Sequence, residues 1–447
     1  MLTDNSLIKD REHKDLFTTE QLETLHKELS GYSVEELCER PGNFLVFPHC
    51  IKESRESFRE SVVCDIVGTT IHTHNIVGFI GVKDSESNNN VELSIGSRFQ
   101  QEGHEDFFLH YMLEKVFNVH VFNMEHGKSD DDIFDFALYL FPHSLKRAIK
   151  QGLFKQYRKR EYNDANVRGA IDVTRHIRYN TPFNGRVAYR TSEYCYDNPV
   201  TQLIRHTIEY IRSSKWGKGV LTCDKDMRDA IRTIDDITPS YQTSNRQRVI
   251  NQNLKPIKHP FYTEYTLLQS LCLQILLHKR VKYGKSEDKI YGILFDCAWL
   301  WEEYLARIIS KSGFTHAVRG QGNGYKFFIG ESDHQRYPDF YSAEHRIVID
   351  AKYKQVDNGI QRNDLFQIIA YMHTLPDIGA LVGGLIYPTS EIAQKRVRKL
   401  NGYRGTLYTI PVHIPQSKNY ADFCNEMEKS AEQLSNIIET LKAECKE

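Results

Sequence analysis

The sequence has no long apolar run and no closely paired cysteines. None of its hydrophobic stretches reaches the length of about 20 residues that a membrane-spanning helix needs. Its nine cysteines are scattered without a CxxC pair, so neither a cysteine-based zinc cluster nor a disulfide framework is expected. The first residues, MLTDNSLIKDREHKD, are polar and charged, unlike a secretory signal. We therefore expect a cytoplasmic protein with reduced thiols and no membrane partner.

A strong charge of either sign is also absent. The chain carries 58 basic and 59 acidic residues, so its net charge of -1 gives no general attraction to nucleic acid. A local basic face must therefore be sought segment by segment. With 40% hydrophobic residues the chain can bury real cores, and its balanced charge argues against disorder. Its length of 447 residues predicts two or three domains.

The predicted elements change in type along the chain. Residues 43–97 favour strands, and residues 130–162 are expected to be mainly helical. A second β-containing stretch is predicted over 167–193, and the segment KYGKSEDK at 282–289 is typical of a linker. Because of this change of pattern we expect the chain on either side of the linker to fold separately. The predicted regions are a β-rich and helical region over 1–194, a helical connection over 195–285 and a C-terminal domain over 286–447.

The pattern after the linker is that of a mixed α/β domain. The helix LFDCAWLWEEYLARIISKS leads into several strands, and the strand at 346–353 is followed by a helix at about 360–374. Strands near 379–387 and 404–412 and a final helix from about 420 complete the order. This succession favours a mixed central sheet flanked by helices. The fold class predicted for the whole chain is α+β or α/β multidomain.

Two acids and a lysine lie at the end of a predicted buried hairpin, RYPDFYSAEHRIVIDAKYK, residues 336–354. With a turn centred on 343–344, Asp339 and Asp350 become diagonal neighbours on one face. Lys352 shares that face because strand side chains alternate. Two converging carboxylates repel each other unless one is protonated or a cation lies between them. The hairpin therefore predicts a cation site.

The residue types indicate which chemistry such a site supports. Oxygen ligands suit Mg²⁺, with Mn²⁺ as the alternative metal. A bound metal polarises a phosphoryl oxygen and lowers the pKa of its water. Lys352 is then placed to orient the attacking water or to stabilise charge at phosphorus. The prediction is hydrolysis of a phosphodiester, and the alternative is that the acids simply pair with Lys352 or Arg336.

Two helices near the hairpin add polar groups. In RNDLFQIIAYMHTL, Gln367 and Tyr371 lie four apart and share one face, whereas Phe366 is assigned to the opposite, apolar face. Such a polar stripe either lines a site or faces solvent. Glu302 and Glu303 interrupt the apolar helix LWEEYL. One of these acids, for which Glu302 is our choice, is predicted to reach the metal-bound water.

Two further groups of side chains have several interpretations. His72 and His74, in TTIHTHNIV, lie on one strand face like a pair of metal ligands. No third ligand is evident in the sequence, so we interpret them as surface or core histidines. A basic stretch could contact phosphates, form a solvated helix end or bind a partner. Its members are Lys146, Arg147, Lys150, Lys155, Arg158, Lys159 and Arg160.

The pattern Pro338-Asp339, Asp350-Ala351-Lys352 and Gln367-x-x-x-Tyr371 resembles the PD-(D/E)xK nuclease core, in particular its RecB-like branch. The resemblance implies that the two acids bind magnesium and that the lysine assists the water. It also implies that the Gln/Tyr helix supports the site and the DNA. Asp350 stands where Glu is frequent in that family, although the shorter acid also occurs there.

Four segments are similar to McrC-type proteins, the nuclease subunits of McrBC-like and LlaJI-like restriction systems. These segments are GLFKQYRKREYNDANVRGAIDV, YDNPVTQLIRHTIEYI, LWEEYLARII and VIDAKYK, and the resemblance covers about residues 90–373. It implies an antiviral endonuclease that cuts double-stranded DNA together with a McrB-like hexameric AAA+ GTPase, whose turnover it stimulates. Residues 1–194 are then expected to bind this partner.

Two other functions stay open at this point. The first is a stand-alone RecB-like DNA repair nuclease that has no GTPase partner. The second is a subunit that assembles a complex without catalysis, although the presence of Asp339, Asp350 and Lys352 speaks against it. A neighbouring gene for a McrB-like protein would favour the restriction system over the repair nuclease.

Overall fold

The computed structural model divides the chain into two compact units. The first unit comprises Met1–Asn118, Asn123–Phe136 and Gly284–Glu447, and the second comprises Val119–Phe122 and Ala137–Tyr283. The structure describes residues 2–8, 17–40, 42–48, 56–68, 70–84, 90–101, 106–117, 132–214, 217–282, 290–317, 324–326, 328, 335–354, 359–375, 381–401 and 405–445.

The strands of the described residues are short to medium in length and belong to five sheets. In chain order they are β1 (Leu2–Thr3), β2 (Leu7–Ile8), β3 (Gly42–Phe47), β4 (Cys64–Val67), β5 (Thr70–Thr73), β6 (Ile76–Lys83), β7 (Asn90–Gly96), β8 (Gln156–Asp164), β9 (Ala170–Ile171), β10 (Val187–Cys195), β11 (Ile290–Asp296), β12 (Thr315–His316), β13 (Tyr325–Lys326), β14 (Gln335–Arg336), β15 (Phe340–Ser342), β16 (Ile347–Ala351), β17 (Val382–Thr389), β18 (Arg396–Lys399) and β19 (Thr406–His413).

The described helices alternate with these strands, and two short 3-10 helices occur at Thr243–Asn245 and Ser310–Ser312. The α-helices are α1 (Thr19–Glu28), α2 (Val34–Glu39), α3 (Glu56–Arg59), α4 (Phe107–Phe117), α5 (Asp132–Lys150), α6 (Val173–Asn180), α7 (Pro199–Ser213), α8 (Gly217–Leu221), α9 (Lys225–Ile237), α10 (Arg246–Gln252), α11 (Glu264–Lys282), α12 (Cys297–Ile309), α13 (Arg362–Thr374) and α14 (Tyr420–Glu444). No helix of the described part of the chain is both long and apolar enough to cross a membrane.

The larger N-terminal sheet contains one strand from a distant part of the sequence. Its order is β1-β7-β6-β11-β3, and β11 pairs antiparallel with β6 and parallel with β3. Gly78 and Gly292 have positive φ, +126° and +144°, and because they lack a Cβ the backbones of β6 and β11 can approach closely. A Cβ at Gly292 would lie 2.2 Å from the carbonyl oxygen of Phe79. Ile290 and Leu294 of β11 join the buried core of this sheet.

The position of β11 differs from the expected division of the chain at residues 282–289. The strand directly after that segment completes a sheet built from residues 2–96, so the N-terminal part does not contain all of its own core. The two compact units also differ from the three predicted regions, because residues 137–283 form one unit by themselves. Periodicity could not reveal this arrangement, since it describes local structure and not long-range strand pairing.

The C-terminal sheet is mixed, as the sequence predicts. Its order is β12-β15-β16-β17-β19-β18, with parallel pairing among β16, β17 and β19 and antiparallel pairing elsewhere. Helix α13 packs on one face, where Ile368 and Met372 contact the cluster around Val348 and Leu385. Several sheets with helices between them make the chain an α+β multidomain protein, in agreement with the predicted class.

The second unit combines a three-stranded sheet with a group of helices. The sheet order is β8-β10-β9, with β10 antiparallel to both neighbours. Residues 156–162 were expected to be helical, and this expectation is wrong because they pair with β10 over their whole length. Helix α7 begins at Pro199 after the Asn198 side chain, which accepts hydrogen bonds from the first-turn N–H groups of Val200 and Thr201. It packs against α9, α10 and α11.

The place of β11 predicts the behaviour of two fragments. We expect a fragment ending at Lys285 to lose cooperative unfolding, because β3 and β6 both lose their central partner. The fragment 137–283 is expected to unfold cooperatively, since it contains its own sheet and helices. Thermal melts followed by circular dichroism measure both. A sharp melt of the fragment 1–285 at the temperature of the full-length chain would contradict the role of β11.

Candidate active site

The two predicted site acids lie directly opposite each other at the end of a hairpin. Phe340 pairs with Ile349, which places Asp339 across from Asp350 and not diagonal to it. The turn occupies residues 343–346, further along the chain than expected. The pairing is therefore shifted by two residues, and because side chains alternate, such a shift leaves both acids on the same face. The predicted proximity is correct, and the predicted register is wrong.

Both carboxylates are buried. Asp339 is 4% exposed and Asp350 is 1% exposed. The backbone N–H of Ala351 donates to Oδ2 of Asp339 at 2.6 Å, and Nζ of Lys352 lies 2.5 Å from Oδ2 of Asp350. Burial and the neighbouring Asp339 carboxylate raise the pKa of Asp350 to about 7, against the opposing effect of Lys352. The two carboxylates therefore repel each other while both are ionised.

The lysine is held in place by the polar face of α13. Nζ of Lys352 donates to Oε1 of Gln367 at 2.8 Å, and Nε2 of Gln367 donates to the hydroxyl of Tyr371 at 2.9 Å. Burial alone lowers the pKa of Lys352, but the Asp350 and Asp339 carboxylates outweigh it and raise that pKa. Lys352 therefore keeps its charge, and the predicted Gln/Tyr pair contacts the site through it.

The opposite face of α13 is only partly as predicted. Ile368 and Met372 are buried, but Phe366 is 55% exposed, with the guanidinium of Arg362 5.2 Å from its ring centre. The assignment of Phe366 to the buried apolar face is therefore wrong. The reason is geometric: Ile368 and Met372, four apart, face the sheet, and Phe366 lies two residues before Ile368, on a different side. Tyr371 is buried, and its hydroxyl accepts a hydrogen bond from Gln367.

Helix α12 brings a third acid into the interior of the first unit. Glu302 is 6% exposed, and α12 packs against β16, the strand that carries Asp350. Glu303 is partly buried and forms an ion pair with His316, with Nε2 and Oε1 3.5 Å apart. The structure thus distinguishes the two neighbouring acids, and Glu302 is the one that faces inward.

The donor set of the hairpin fits a hard divalent cation. Asp339 and Asp350 offer carboxylate oxygens, the ligands that Mg²⁺ and Mn²⁺ prefer. Their burial side by side is costly while both are ionised, as the raised pKa of Asp350 shows. A divalent cation between them would remove that repulsion. The burial of two adjacent carboxylates therefore makes Asp339 and Asp350 suitable metal ligands.

The predicted basic stretch does not form a free cationic surface. Lys146 pairs with Asp224 at 2.6 Å, and Arg147 pairs with Glu264 at 2.9 Å. Arg158 donates to the backbone carbonyl of Asp197 at 3.0 Å. Arg160 and Lys155 also have intramolecular contacts, with Glu193 and with the ring of Tyr196. Most of these charges therefore hold the second unit together, and the local sequence could not show the acids that neutralise them.

A different basic segment, which the sequence analysis did not single out, lies on the same sheet as the acids. Lys395, Arg396, Arg398 and Lys399 are all exposed on or beside β18, the edge strand. The signal was present in the sequence as the short run KRVRK at 395–399. The sequence alone does not show that this run lies on the same sheet as Asp350, because that depends on the strand order.

The register places one of these cations in the same cross-strand row as Asp350. Asp350 pairs with Leu385, Leu385 with Thr409 and Thr409 with Arg396. Directly paired residues share a face of the sheet, so Arg396 lies on the face of Asp350. Three strand spacings separate them, which is about 14 Å. The cross-strand row therefore extends from the buried Asp350 to the exposed, positively charged edge strand β18.

The fold and the site together define a mixed α/β protein with a buried Asp–Asp–Lys cluster. A family model described as McrBC 5-methylcytosine restriction system component matches residues 71–388. The chain belongs to this family, which confirms its resemblance to McrC-type proteins. No curated protein matches the chain.

Solved structures also resemble the chain at low sequence identity. One is a refined half-complex from a tetradecameric assembly of Thermococcus gammatolerans McrB AAA+ hexamers with bound McrC. It is 14% identical, with a TM-score of 0.49, over 96% of this chain and 99% of that chain. The other is the cryo-EM structure of the Thermococcus gammatolerans McrBC complex, which is 15% identical. The match covers 69% of this chain and 86% of that chain, with a TM-score of 0.33.

The raised pKa of Asp350 predicts a pH-dependent effect of its substitution. Folding favours the protonated form between the ordinary value near 4 and the folded value of about 7, so wild-type stability falls as pH rises through this window. Asp350→Asn lacks this ionisation. We therefore expect its melting temperature, relative to wild type in EDTA, to rise from pH 5 to pH 8.

The control for this measurement is Glu344→Gln, which changes an exposed carboxylate in the turn of the same hairpin. Its melting temperature relative to wild type is expected to be nearly constant over the same range. A difference between Asp350→Asn and wild type that does not depend on pH would contradict the buried, proton-binding state of Asp350.

Proposed function

We propose that this chain is the nuclease subunit of a McrBC-type restriction system, a Mg²⁺-dependent endonuclease that cuts double-stranded DNA in the cytoplasm as part of antiviral defence. The observation that carries the proposal is the pair of buried, directly opposed carboxylates of Asp339 and Asp350 beside Lys352. Two carboxylates buried side by side are costly for stability while both are ionised, and groups with such perturbed pKa values cluster at functional sites. Membership of the restriction family adds the biological setting.

Each side chain of the site has a role in this reaction. Asp339 and Asp350 would hold Mg²⁺, or Mn²⁺ in its place, and the bound ion supplies Lewis acidity and a water of lowered pKa. Lys352 orients the attacking water or stabilises negative charge on the phosphoryl group. Gln367 fixes Lys352, and Tyr371 in turn fixes the Gln367 amide. This division of roles is that of a PD-(D/E)xK nuclease core.

Glu302 is the further acid that we assign to the metal-bound water. It is buried on α12, the helix that packs against β16. Glu303, which pairs with His316, is left out of the site.

The chain is proposed to act together with a McrB-like hexameric AAA+ GTPase whose turnover it stimulates. The family to which it belongs is described as a component of a restriction system, and a component requires others. Within the second unit, several exposed apolar side chains are concentrated in residues 167–183, and patches of this kind are typical of protein interfaces. They are Val167, Ile171, Val173, Ile177, Tyr179 and Phe183. We assign the partner contact to this segment.

The exposed cations of β18 are proposed to contact the DNA backbone. Arg396 and Arg398 lie on the face of the sheet that carries Asp350, about 14 Å away by strand spacing. This distance corresponds to roughly four nucleotide steps along a duplex axis. A duplex whose scissile phosphate lies at Asp350 can therefore place another phosphate against Arg396.

The two alternative functions fit the observations less well. A stand-alone RecB-like repair nuclease would share the site, but family membership favours the restriction system. A subunit without catalysis would have no use for buried acids whose repulsion costs stability. Both alternatives are tested by the cleavage experiment below, which compares the chain alone with the assembled complex.

Removal of the site acids is expected to abolish cleavage and leave assembly intact. Asp339→Ala and Asp350→Ala each remove a metal ligand and no apolar core volume. Lys352→Ala is expected to slow cutting by about 10²–10³-fold, the usual effect of losing one group that stabilises transition-state charge. The measurement is plasmid cleavage by the complex of each variant with the AAA+ partner, and GTP turnover in the same samples reports assembly.

Phe366→Ala is the matched control, since Phe366 is exposed on the same helix that positions Lys352. It is expected to cut at the wild-type rate. Cleavage by Asp350→Ala at the wild-type rate would show that the site is elsewhere. Full cleavage by the wild-type chain without its partner would favour the stand-alone repair nuclease.

The DNA contact of β18 predicts a change in salt dependence. If Arg396 and Arg398 each neutralise one phosphate, the double variant Arg396→Ala/Arg398→Ala loses about 0.9 per contact from the slope of log affinity against log salt concentration. Fluorescence anisotropy of a labelled duplex at several salt concentrations measures this slope. The control is Lys150→Ala/Lys159→Ala, two exposed lysines of the second unit. A slope equal to wild type in the β18 variant would exclude this strand from the DNA contact.

A further inference from the structure

A second group of potential metal ligands lies on the small N-terminal sheet, whose order is β2-β5-β4. Asp65 on β4 is directly paired with His72 on β5, and His74 follows one residue after that strand. Nε2 of His74 lies 2.8 Å from Oδ2 of Asp65, and the ring centres of His72 and His74 are 4.7 Å apart. One ligand atom from each of the three residues lies within 4.8 Å of the others.

All three side chains are on one face because the strands alternate. Their sequence neighbours are buried in the core of the first unit, so Asp65, His72 and His74 project to the other side, where they are half exposed. The cluster is therefore open to an ion from solvent and supported from below by a packed core. The buried neighbours are Cys64, Ile66, Ile71 and Thr73.

The structure places a candidate third ligand beside His72 and His74, which was not evident in the sequence. The missing ligand is Asp65, which is seven residues before His72 in the sequence and opposite it in the sheet. Within the part of the chain that the structure describes, this is the one place where three His, Cys, Asp or Glu side chains meet so closely. The arrangement depends on strand pairing and was not visible from spacing alone.

We propose that Asp65, His72 and His74 bind one divalent transition-metal ion of the zinc type, with water in the fourth position. Two imidazoles and one carboxylate are a common ligand set for Zn²⁺, Co²⁺ or Ni²⁺, whereas Mg²⁺ prefers oxygen ligands alone. Around a tetrahedral zinc ion with bonds of about 2.0–2.1 Å, ligand atoms lie about 3.3 Å apart. The present cluster needs to contract by roughly 1.5 Å at most, which side-chain rotation can supply.

The ion has a structural consequence for the N-terminal part of the first unit. It links β4 to the end of β5 and replaces the single hydrogen bond between His74 and Asp65 with three metal–ligand bonds. The same hairpin buries Cys64, Ile66 and Ile71 in the core that includes β11. Metal binding to the folded chain therefore stabilises this core, because an ion that binds only the native state shifts the folding equilibrium towards it.

The test uses the full-length chain without an affinity tag, since a histidine tag binds the same ions. The background variant is Asp350→Asn, which removes a ligand from the candidate active site so that a second ion does not complicate the stoichiometry. We expect one Zn²⁺ per chain by calorimetric titration, a visible absorption band when Co²⁺ is bound, and a rise in melting temperature with Zn²⁺. None of these measurements depends on DNA cleavage.

Substitutions within the cluster identify the ligands. His72→Ala and His74→Ala are each expected to weaken Zn²⁺ binding by more than about 100-fold. This loss is larger than the roughly 10–100-fold loss typical of residues that only hydrogen-bond to a metal ligand. Asp65→Asn keeps the shape of the side chain and removes its charge, so it decides the outcome if a histidine variant fails to fold. His26→Asn, an exposed histidine on α1, is the matched control and is expected to bind like the background variant.

Two results overturn the proposal. One is a folded chain that shows no saturable Zn²⁺ or Co²⁺ binding, which would leave the cluster as a hydrogen-bonded surface group. The other is saturable binding that persists with unchanged affinity in His72→Ala, His74→Ala and Asp65→Asn, which would place the ion elsewhere. Loss of cleavage in the parent chain does not bear on either result, so this site and the nuclease assignment fail independently.

Discussion

Strand β11 is the element on which the first unit depends. It lies between β6 and β3, and Gly78 of β6 and Gly292 of β11, which pair with Leu294 and Ile80, permit close approach of these two strands. Asp296 ends the strand and accepts a hydrogen bond from the first-turn N–H of Ala298, so α12 begins immediately. Because α12 packs against β16, one short segment connects the N-terminal sheet to the strand that carries the site. The core of the N-terminal sheet and the scaffold of the site therefore belong to one compact unit.

Charged residues of the chain fall into two groups. Some form ion pairs that stabilise the fold, and others are available for function. The basic residues near the start of the second unit are mostly paired with acids or held by carbonyl and aromatic groups, as Lys146 with Asp224 and Arg147 with Glu264 illustrate. The acids of the hairpin differ, since burial and the neighbouring Asp339 carboxylate raise the pKa of Asp350 against the opposing effect of Lys352. The exposed cations of β18 have solvent around them. Under the proposed function, a DNA backbone with a divalent cation would satisfy both the acids and the exposed edge.

Two groups of cation ligands with different chemistry lie in the first unit. The hairpin offers buried carboxylate oxygens beside Lys352, a combination suited to a hard ion and to phosphoryl chemistry. The N-terminal sheet offers two imidazoles and a carboxylate on a half-exposed face, suited to a borderline ion such as Zn²⁺. Because ligand type discriminates between these ions, the two proposed sites would not compete for one metal.

The sequence by itself determined the local features: the mixed α/β pattern of the C-terminal part, the hairpin with Asp339, Asp350 and Lys352, and the polar face with Gln367 and Tyr371. These depend on alternation and helical period, which a single segment contains. The tertiary structure decided the register of the hairpin, the exposure of Phe366, the pairing of β11, the row from Asp350 to Arg396 and the addition of Asp65 to His72 and His74. Each of these depends on which distant strands or helices are neighbours, and strand pairing and burial are set by the packing of the whole unit, which local periodicity does not encode.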